Sequence, residues 1–233
     1  RAFVLQNLMN LVQGADALAL AGYEEYIKLS PNDPLGYARK GMVSLSRADL
    51  VQQALSGRQS QNLKAEERSR LQKQIRDDFK SAEDSLKKSL ELKSDFALAS
   101  YNLGVVYDRQ GKIKDAIKQL ESVRISNTQD AGLAFQLGLL YYRNNQKADA
   151  FNEMLRAVSI LPNYSNARWY LALMNEENGR IQDAVVQLEE IRKLNPDNQI
   201  VLQKIADLKA GVREFPPEEV TEKQPLEENS QNR

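Results

Sequence analysis

One short phrase recurs at a fixed interval. YNLGVVY begins at Tyr101, FQLGLLY at Phe135 and WYLALMN at Trp169, each 34 residues after the last. A fixed period constrains a fold strongly, because each repeat is a supersecondary unit that buries its apolar face only against its neighbours. Other positions keep the same step. Ala82, Ala116, Ala150 and Ala184 are 34 apart, as are Gly104, Gly138, Ala172 and Ala206. Ala19 lies 63 residues before Ala82, and Gly41 lies 63 before Gly104. Since 63 is 34 plus 29, a single insertion of 29 residues accounts for both slips.

The punctuation gives the repeat its shape. Gly111, Asn145 and Gly179 also lie 34 apart, each after an apolar-periodic stretch. Gly and Asn tolerate the left-handed conformation that ends a helix. Pro31, Pro162 and Pro196 close a second helical stretch at matching positions, because proline cannot continue a helix interior. The unit is helix, tight turn, helix, loop. Gly or Ala on the first helix and Ala on the second let the two helices approach closely. Leu103, Leu137 and Leu171 fill the core from the first helix; Leu120, Met154 and Leu188 fill it from the second.

Composition removes several function classes. The 233 residues hold 32 basic and 32 acidic side chains, so no broad basic footprint for nucleic acid exists. There is no histidine and no cysteine. Disulfides, thiolate or imidazole metal sites, and Cys-His or Ser-His-Asp catalysis are therefore excluded. Apolar content of 42% is enough for a continuous core, while 11 glycines and 7 prolines are too few for a barrel or sandwich of many tight turns. No run of 18 apolar residues is present, so no complete membrane span is read.

The 34-residue length and the pattern Leu-Gly-x-x-Tyr, then Ala, then Pro resemble the tetratricopeptide repeat. The match is closest in 131–164, through Leu137, Gly138, Tyr141, Ala150, Ala157 and Pro162. Thr128 stands for the proline in 97–130; Ala172 and Asn175 stand for the glycine and tyrosine in 165–198. The usual tryptophan position holds Ser100, Ala134 and Arg168. The resemblance covers about 1–213 and implies an all-α, right-handed superhelical solenoid of helix hairpins, with eleven helices expected.

The expected organisation is a solenoid over 1–213 and a disordered acidic tail over 214–233. Its repeats are 1–33, 34–96, 97–130, 131–164 and 165–198, followed by a capping helix at 199–212. Repeat 1–33 is expected to turn at Gly14. Repeat 34–96 carries the insertion, so its hairpin should be elongated, with arms at 34–56 and about 63–92 around the tip SGRQSQN. The 58–76 stretch holds six basic residues and two acidic ones. It reads either as a solvated hairpin or as a contact for an anionic partner or membrane surface. The capping helix should show Gln203, Lys204, Asp207 and Lys209 to solvent.

The resemblance implies that the second, fifth, ninth, twelfth and thirteenth repeat positions line a concave groove. The fifth position holds Tyr101, Phe135 and Trp169; the ninth holds Val105, Leu139 and Leu173. Asn102, Arg109, Tyr142 and Arg143 complete the expected partner-binding set. Residues four apart share a helix face, so an aromatic ladder runs beside an aliphatic one. Two readings of the aromatics stay open: a groove surface, or core side chains displaced one place from the missing tryptophan position. Asn102 fits the carboxylate-clamp subset of the family, but the lysine and arginine partners of that clamp are absent. Asp108, Glu176 and Glu177 are the only groove acids, expected at a solvated rim, and no catalytic residue, metal site or cofactor is assigned.

The resulting expectation is a non-catalytic scaffold that holds a protein or peptide ligand, without nucleic acid. The alternative is an extracytoplasmic module of a larger bacterial membrane protein that handles cell-envelope polysaccharide. That reading rests on the apolar opening RAFVLQNLMNLVQG, which starts at Arg1 rather than Met, and on the basic hairpin. It carries two further expectations: a tether to the bacterial cytoplasmic membrane through a segment before Arg1, and a homo-oligomer through the apolar first helix. The tail holds six glutamates and Pro216, Pro217 and Pro225, a composition that cannot bury a core. Ending the chain after Arg213 is expected to leave the thermal midpoint nearly unchanged. A melt followed by circular dichroism checks this, and a fall of more than a few degrees contradicts it.

Overall fold

The computed structural model describes residues 2–57 and 63–212, with side chains of the first helix described from Gly14 onward. The acidic segment 214–233 and the hairpin tip around Arg58 lie outside the described residues. All regular structure among the described residues is helical, in ten helices. The chain divides into two compact units, Arg1–Ser126 and Asn127–Arg233.

The first unit contains α1 (Ala2–Leu29), α2 (Pro34–Ser56), α3 (Ala65–Leu92), α4 (Ala97–Arg109) and α5 (Ile113–Ser126). Helices α2 and α3 form the long hairpin that the insertion implies, and α4 and α5 form an ordinary one. Helix α2 starts cleanly: Asp33 accepts from Leu35 N at 2.9 Å and Pro34 takes the first helical position. It continues because Ala48, seven residues past Gly41, occupies the register that Gly111 holds seven past Gly104. Alanine favours the helix, whereas Gly111 adopts φ +73° and ends α4.

One expectation fails in this unit. Gly14 lies within the continuous helix α1, so there is no turn there, and the described helices number ten rather than eleven. The sequence register explains the difference. The residue 97 before Gly104 is Asn7, where a closed hairpin holds Gly or Ala. At Gly104 an added Cβ would sit 2.7 Å from Leu120 Cδ2. An arm carrying Asn at that point cannot approach its mate, and a lone helical glycine costs only about 1 kcal/mol.

The hairpin contacts elsewhere keep the repeat. An added Cβ at Gly41 would meet Leu86 Cγ at 2.7 Å, and one at Gly138 would meet Met154 Cε at 2.8 Å. Ala82, Ala116, Ala150 and Ala184 are all fully buried. The long hairpin adds polar clamps. Asp78, 2% exposed, receives both Nε and Nη2 of Arg47, the Nε contact at 2.9 Å. Ser89 Oγ donates to Pro34 O at 2.7 Å. Glu83 joins α3 to the turn after α4 by accepting from Lys87 at 2.6 Å and Lys112 at 3.1 Å. Burial pushes the Glu83 carboxyl pKa up, but hydrogen bonds from Lys87, Lys112 and Gln110 outweigh it and hold the value at about 2.

The second unit contains α6 (Ala131–Arg143), α7 (Lys147–Ile160), α8 (Ser165–Glu177), α9 (Ile181–Leu194) and α10 (Gln199–Ala210). It forms two hairpins and a closing helix. Asn145 turns at φ +59° and Gly179 at φ +74°. Both turns repeat one hydrogen-bond pattern: Asn145 N to Tyr142 O and Gln146 N to Tyr141 O, then Gly179 N to Glu176 O and Arg180 N to Asn175 O, at 2.8–3.0 Å. This is the six-to-one and five-to-two pairing that satisfies the last carbonyls of a helix.

Helix α10 departs from its expected face in two places. Ala206, the last member of the small-residue series, is exposed, because no second helix lies against it among the described residues. Lys204, expected in solvent, is buried. Gln203 and Lys209 are exposed as expected.

Ala150 on α7 is fully buried, and replacing it by Leu adds bulk there. The expected cost is about 1–3 kcal/mol, read as a lower denaturant midpoint at unchanged slope.

Candidate functional site

In the second unit an aromatic cluster gathers on α6, α8 and the loop between α7 and α8. Phe135 on α6 lies 5.1 Å from the Tyr164 ring and 5.9 Å from Tyr170 on α8. Tyr142, two turns along α6, also lies 6.0 Å from Tyr170 in an edge arrangement. Such tilted and edge contacts suit aromatic quadrupoles. Tyr170 is buried and forms the floor, while Phe135, Tyr142 and Tyr164 are half-buried. Leu139 is half-buried on α6 between Phe135 and Tyr142, and Arg143 is exposed at the helix end.

Charge closes one end of this face. Tyr142 Oη donates to Glu177 Oε1, Lys147 Nζ donates to Glu177 Oε2, and the Lys147 ammonium lies 5.8 Å from the Tyr142 ring centre. Glu177 thus orients the phenol and draws a cation over its face, an arrangement that favours a ring over a flexible aliphatic at this edge.

Trp169 and Leu173 do not join that surface. Trp169 is 2% exposed and Leu173 is 4% exposed, so the ladder becomes core at α8. For Trp169 the displaced-core alternative holds. The neighbouring acid behaves likewise. Glu176, expected at a solvated rim, is 2% exposed, and Lys204 Nζ from α10 straddles its carboxylate at 2.9 and 2.8 Å. The last hairpin therefore closes under α10 with a buried ion pair, where the preceding hairpin of this unit leaves Phe135 and Leu139 partly open.

In the first unit Tyr101, Asn102 and Val105 on α4 are half-buried. Asn102 Nδ2 donates to Leu98 O of its own helix at 2.7 Å. Arg109 donates to Asp49 Oδ1 on α2 at 2.9 Å and lies 3.6 Å from Asp108. Its charge is spent on holding α4 to the long hairpin.

Periodicity misses three members of the aromatic cluster's setting. Tyr170 occupies the register of Asn102 and Gln136, so no repeat signal marks it. Tyr164 lies in a loop, and the Lys147–Glu177 link joins residues 30 apart that no local spacing relates.

The tetratricopeptide-repeat family model matches residues 76–131, 101–165 and 135–198, which together span more than half of the chain. The chain belongs to the tetratricopeptide-repeat family. Among solved structures it is similar to YrrB, described as a TPR protein with an unusual peptide-binding site. Identity is 20%, the match covers 84% of this chain and 87% of that one, and the TM-score is 0.61. It is also similar to MamA, at 22% identity, 85% and 93% coverage and a TM-score of 0.60. At these identities the likeness shows the fold. Among curated proteins it is similar to the human protein O-mannosyl-transferase TMTC3, 28% identical over 128 residues. That match covers 52% of this chain and 14% of TMTC3, so the chain matches a small part of that protein's length. Tetratricopeptide-repeat proteins are generally non-catalytic scaffolds, and the fold supports a protein-interaction role.

Removing one partner of the Glu176–Lys204 pair leaves an uncompensated buried charge. Lys204→Met is expected to lower stability by about 3–5 kcal/mol, whereas Glu176→Leu with Lys204→Met together should recover much of the loss. A double-mutant cycle in denaturant measures it.

Proposed function

We propose that this chain is a non-catalytic scaffold that holds an extended peptide or a partner helix against the aromatic face of its second unit. The observation that carries the reading is Phe135, half-exposed in a ring cluster whose floor is Tyr170. Phe135, Leu139 and Tyr142 offer an apolar strip along α6, and Arg143 supplies a charge at its end. Tyr101 and Val105 present the same pair of repeat positions on α4 of the first unit. Rigid aromatic side chains give much contact area at low entropic cost, which suits them to anchor a ligand. The peptide-binding description of YrrB points the same way for a chain of this fold.

A second reading rests on the apolar composition of the opening RAFVLQNLMNLVQG and on the basic stretch 58–76. On it, the repeats are an assembly module carried by a larger membrane protein of the bacterial envelope that handles polysaccharide. Reading the coding sequence ahead of Arg1 tests this: successive apolar segments of about 20 residues are expected, and their absence contradicts it.

The scaffold reading is tested by selecting ligands from a random peptide display library on the full chain. Phe135→Ala is expected to weaken the selected peptides at least tenfold, and Arg143→Ala to matter less, because exposed charges contribute little. A thermal melt accompanies each measurement. If Phe135→Ala unfolds the chain, the ring is core; if it does neither, the aromatic face is not the binding surface.

A further inference from the structure

The 29-residue insertion has no role in the repeat itself. The register places the ordinary turn at Ala48 and resumes near Asp77, so the segment between is surplus to the packing shared by the other hairpins. That surplus builds an open groove beside the end of α4. Its floor is Leu55, Ile75 and Phe79, and its rim carries Arg68, Arg76 and Arg109. The remaining lining residues are uncharged, and no carboxylate lines it. The chain as a whole is neutral, and with Arg109 already met by Asp49 and Asp108, the Arg68 and Arg76 guanidinium groups beside an apolar floor mark the local departure.

The spacing of these groups defines what would fit. Arg68, Gln72 and Arg76 are four residues apart and share one face of α3. Arg68 and Arg76 are therefore about 12 Å apart along the helix. An extended peptide rises about 3.3 Å per residue, so side chains four apart lie about 13 Å apart on one face. The side chain midway between them points to the same face. Arg109 is held in place by Asp49 at 2.9 Å, so its side chain walls the groove edge while its charge is met by that carboxylate.

We propose that this groove binds an extended acidic peptide of the pattern acid, any residue, apolar residue, any residue, acid. The two carboxylates meet Arg68 and Arg76, whose planar forks match carboxylate geometry. The middle apolar side chain enters between Leu55 and Ile75. An anionic membrane or a nucleic acid fits less well, because either presents a broad surface of charge and leaves the recessed apolar floor empty. This site is separate from the aromatic face of the second unit.

The probe is a fluorescein-labelled peptide with the core Glu-Ser-Leu-Ser-Glu, titrated onto the full chain and read by anisotropy. Saturable binding is expected, at least tenfold stronger than for Gln-Ser-Leu-Ser-Gln and for Glu-Ser-Ser-Ser-Glu, and weaker as salt rises. Arg76→Glu and Gln72→Glu, both at exposed positions, should each weaken it at least tenfold with unchanged melting, while Phe135→Ala leaves it unchanged. Equal binding of the glutamine peptide, or no effect of either α3 variant, overturns the proposal. So does loss on Phe135→Ala with none on Arg76→Glu, which would move the peptide to the second unit. Tighter, Arg76-dependent binding of phosphatidylserine vesicles or oligothymidylate also overturns it, in favour of a general anion surface.

Discussion

The structure depends on the close approach of paired helices at one point in each hairpin. A methyl group or less is tolerated there. The atoms facing Gly41, Gly104 and Gly138 lie within 2.8 Å of where a Cβ would be, and the alanines on the opposite helices are fully buried. Ridges pack into grooves at short axial distance only where such small residues fall. Between those points the core leucines and the positive-φ turns keep the period, while exposed positions vary. Where the sequence places Asn7 in that register instead, no hairpin forms and α1 is one continuous helix.

The last hairpin shows how a family pattern can be kept while its surface is lost. Trp169 and Leu173 occupy positions that stay partly open in the preceding hairpin, yet both are buried, and Glu176 is sealed under Lys204. A buried ion pair is costly to break and adds little over apolar packing. Its presence here fits a closing helix that must dock in one register. Glu177, the next residue on α8, ties the last hairpin to the preceding one at a half-buried position, where it binds Tyr142 and Lys147.

The long hairpin is stabilised by different means. The helices α2 and α3 extend beyond the small-residue contact, so polar links replace it: Arg47 with Asp78, and Ser44 with Ser81. Glu83 then binds the base of the arm to the next hairpin through two lysines that also lie near the Tyr107 ring, at 5.9 and 5.3 Å.

The helical repeat, the turns at Gly111, Asn145 and Gly179, and the long hairpin are legible in the amino-acid sequence. These are local or strictly periodic: a positive φ favours Gly or Asn, a close contact needs Gly or Ala, and an insertion shifts both series together. Tertiary structure alone decided which ladder positions face solvent. Phe135 and Trp169 share one register, and only the neighbours packed around each make one half-open and the other core. It alone decided that Tyr170 would floor the cluster and that Glu176 would meet Lys204 across 28 residues. Such contacts depend on which helices become spatial neighbours, a choice that no period along the chain encodes.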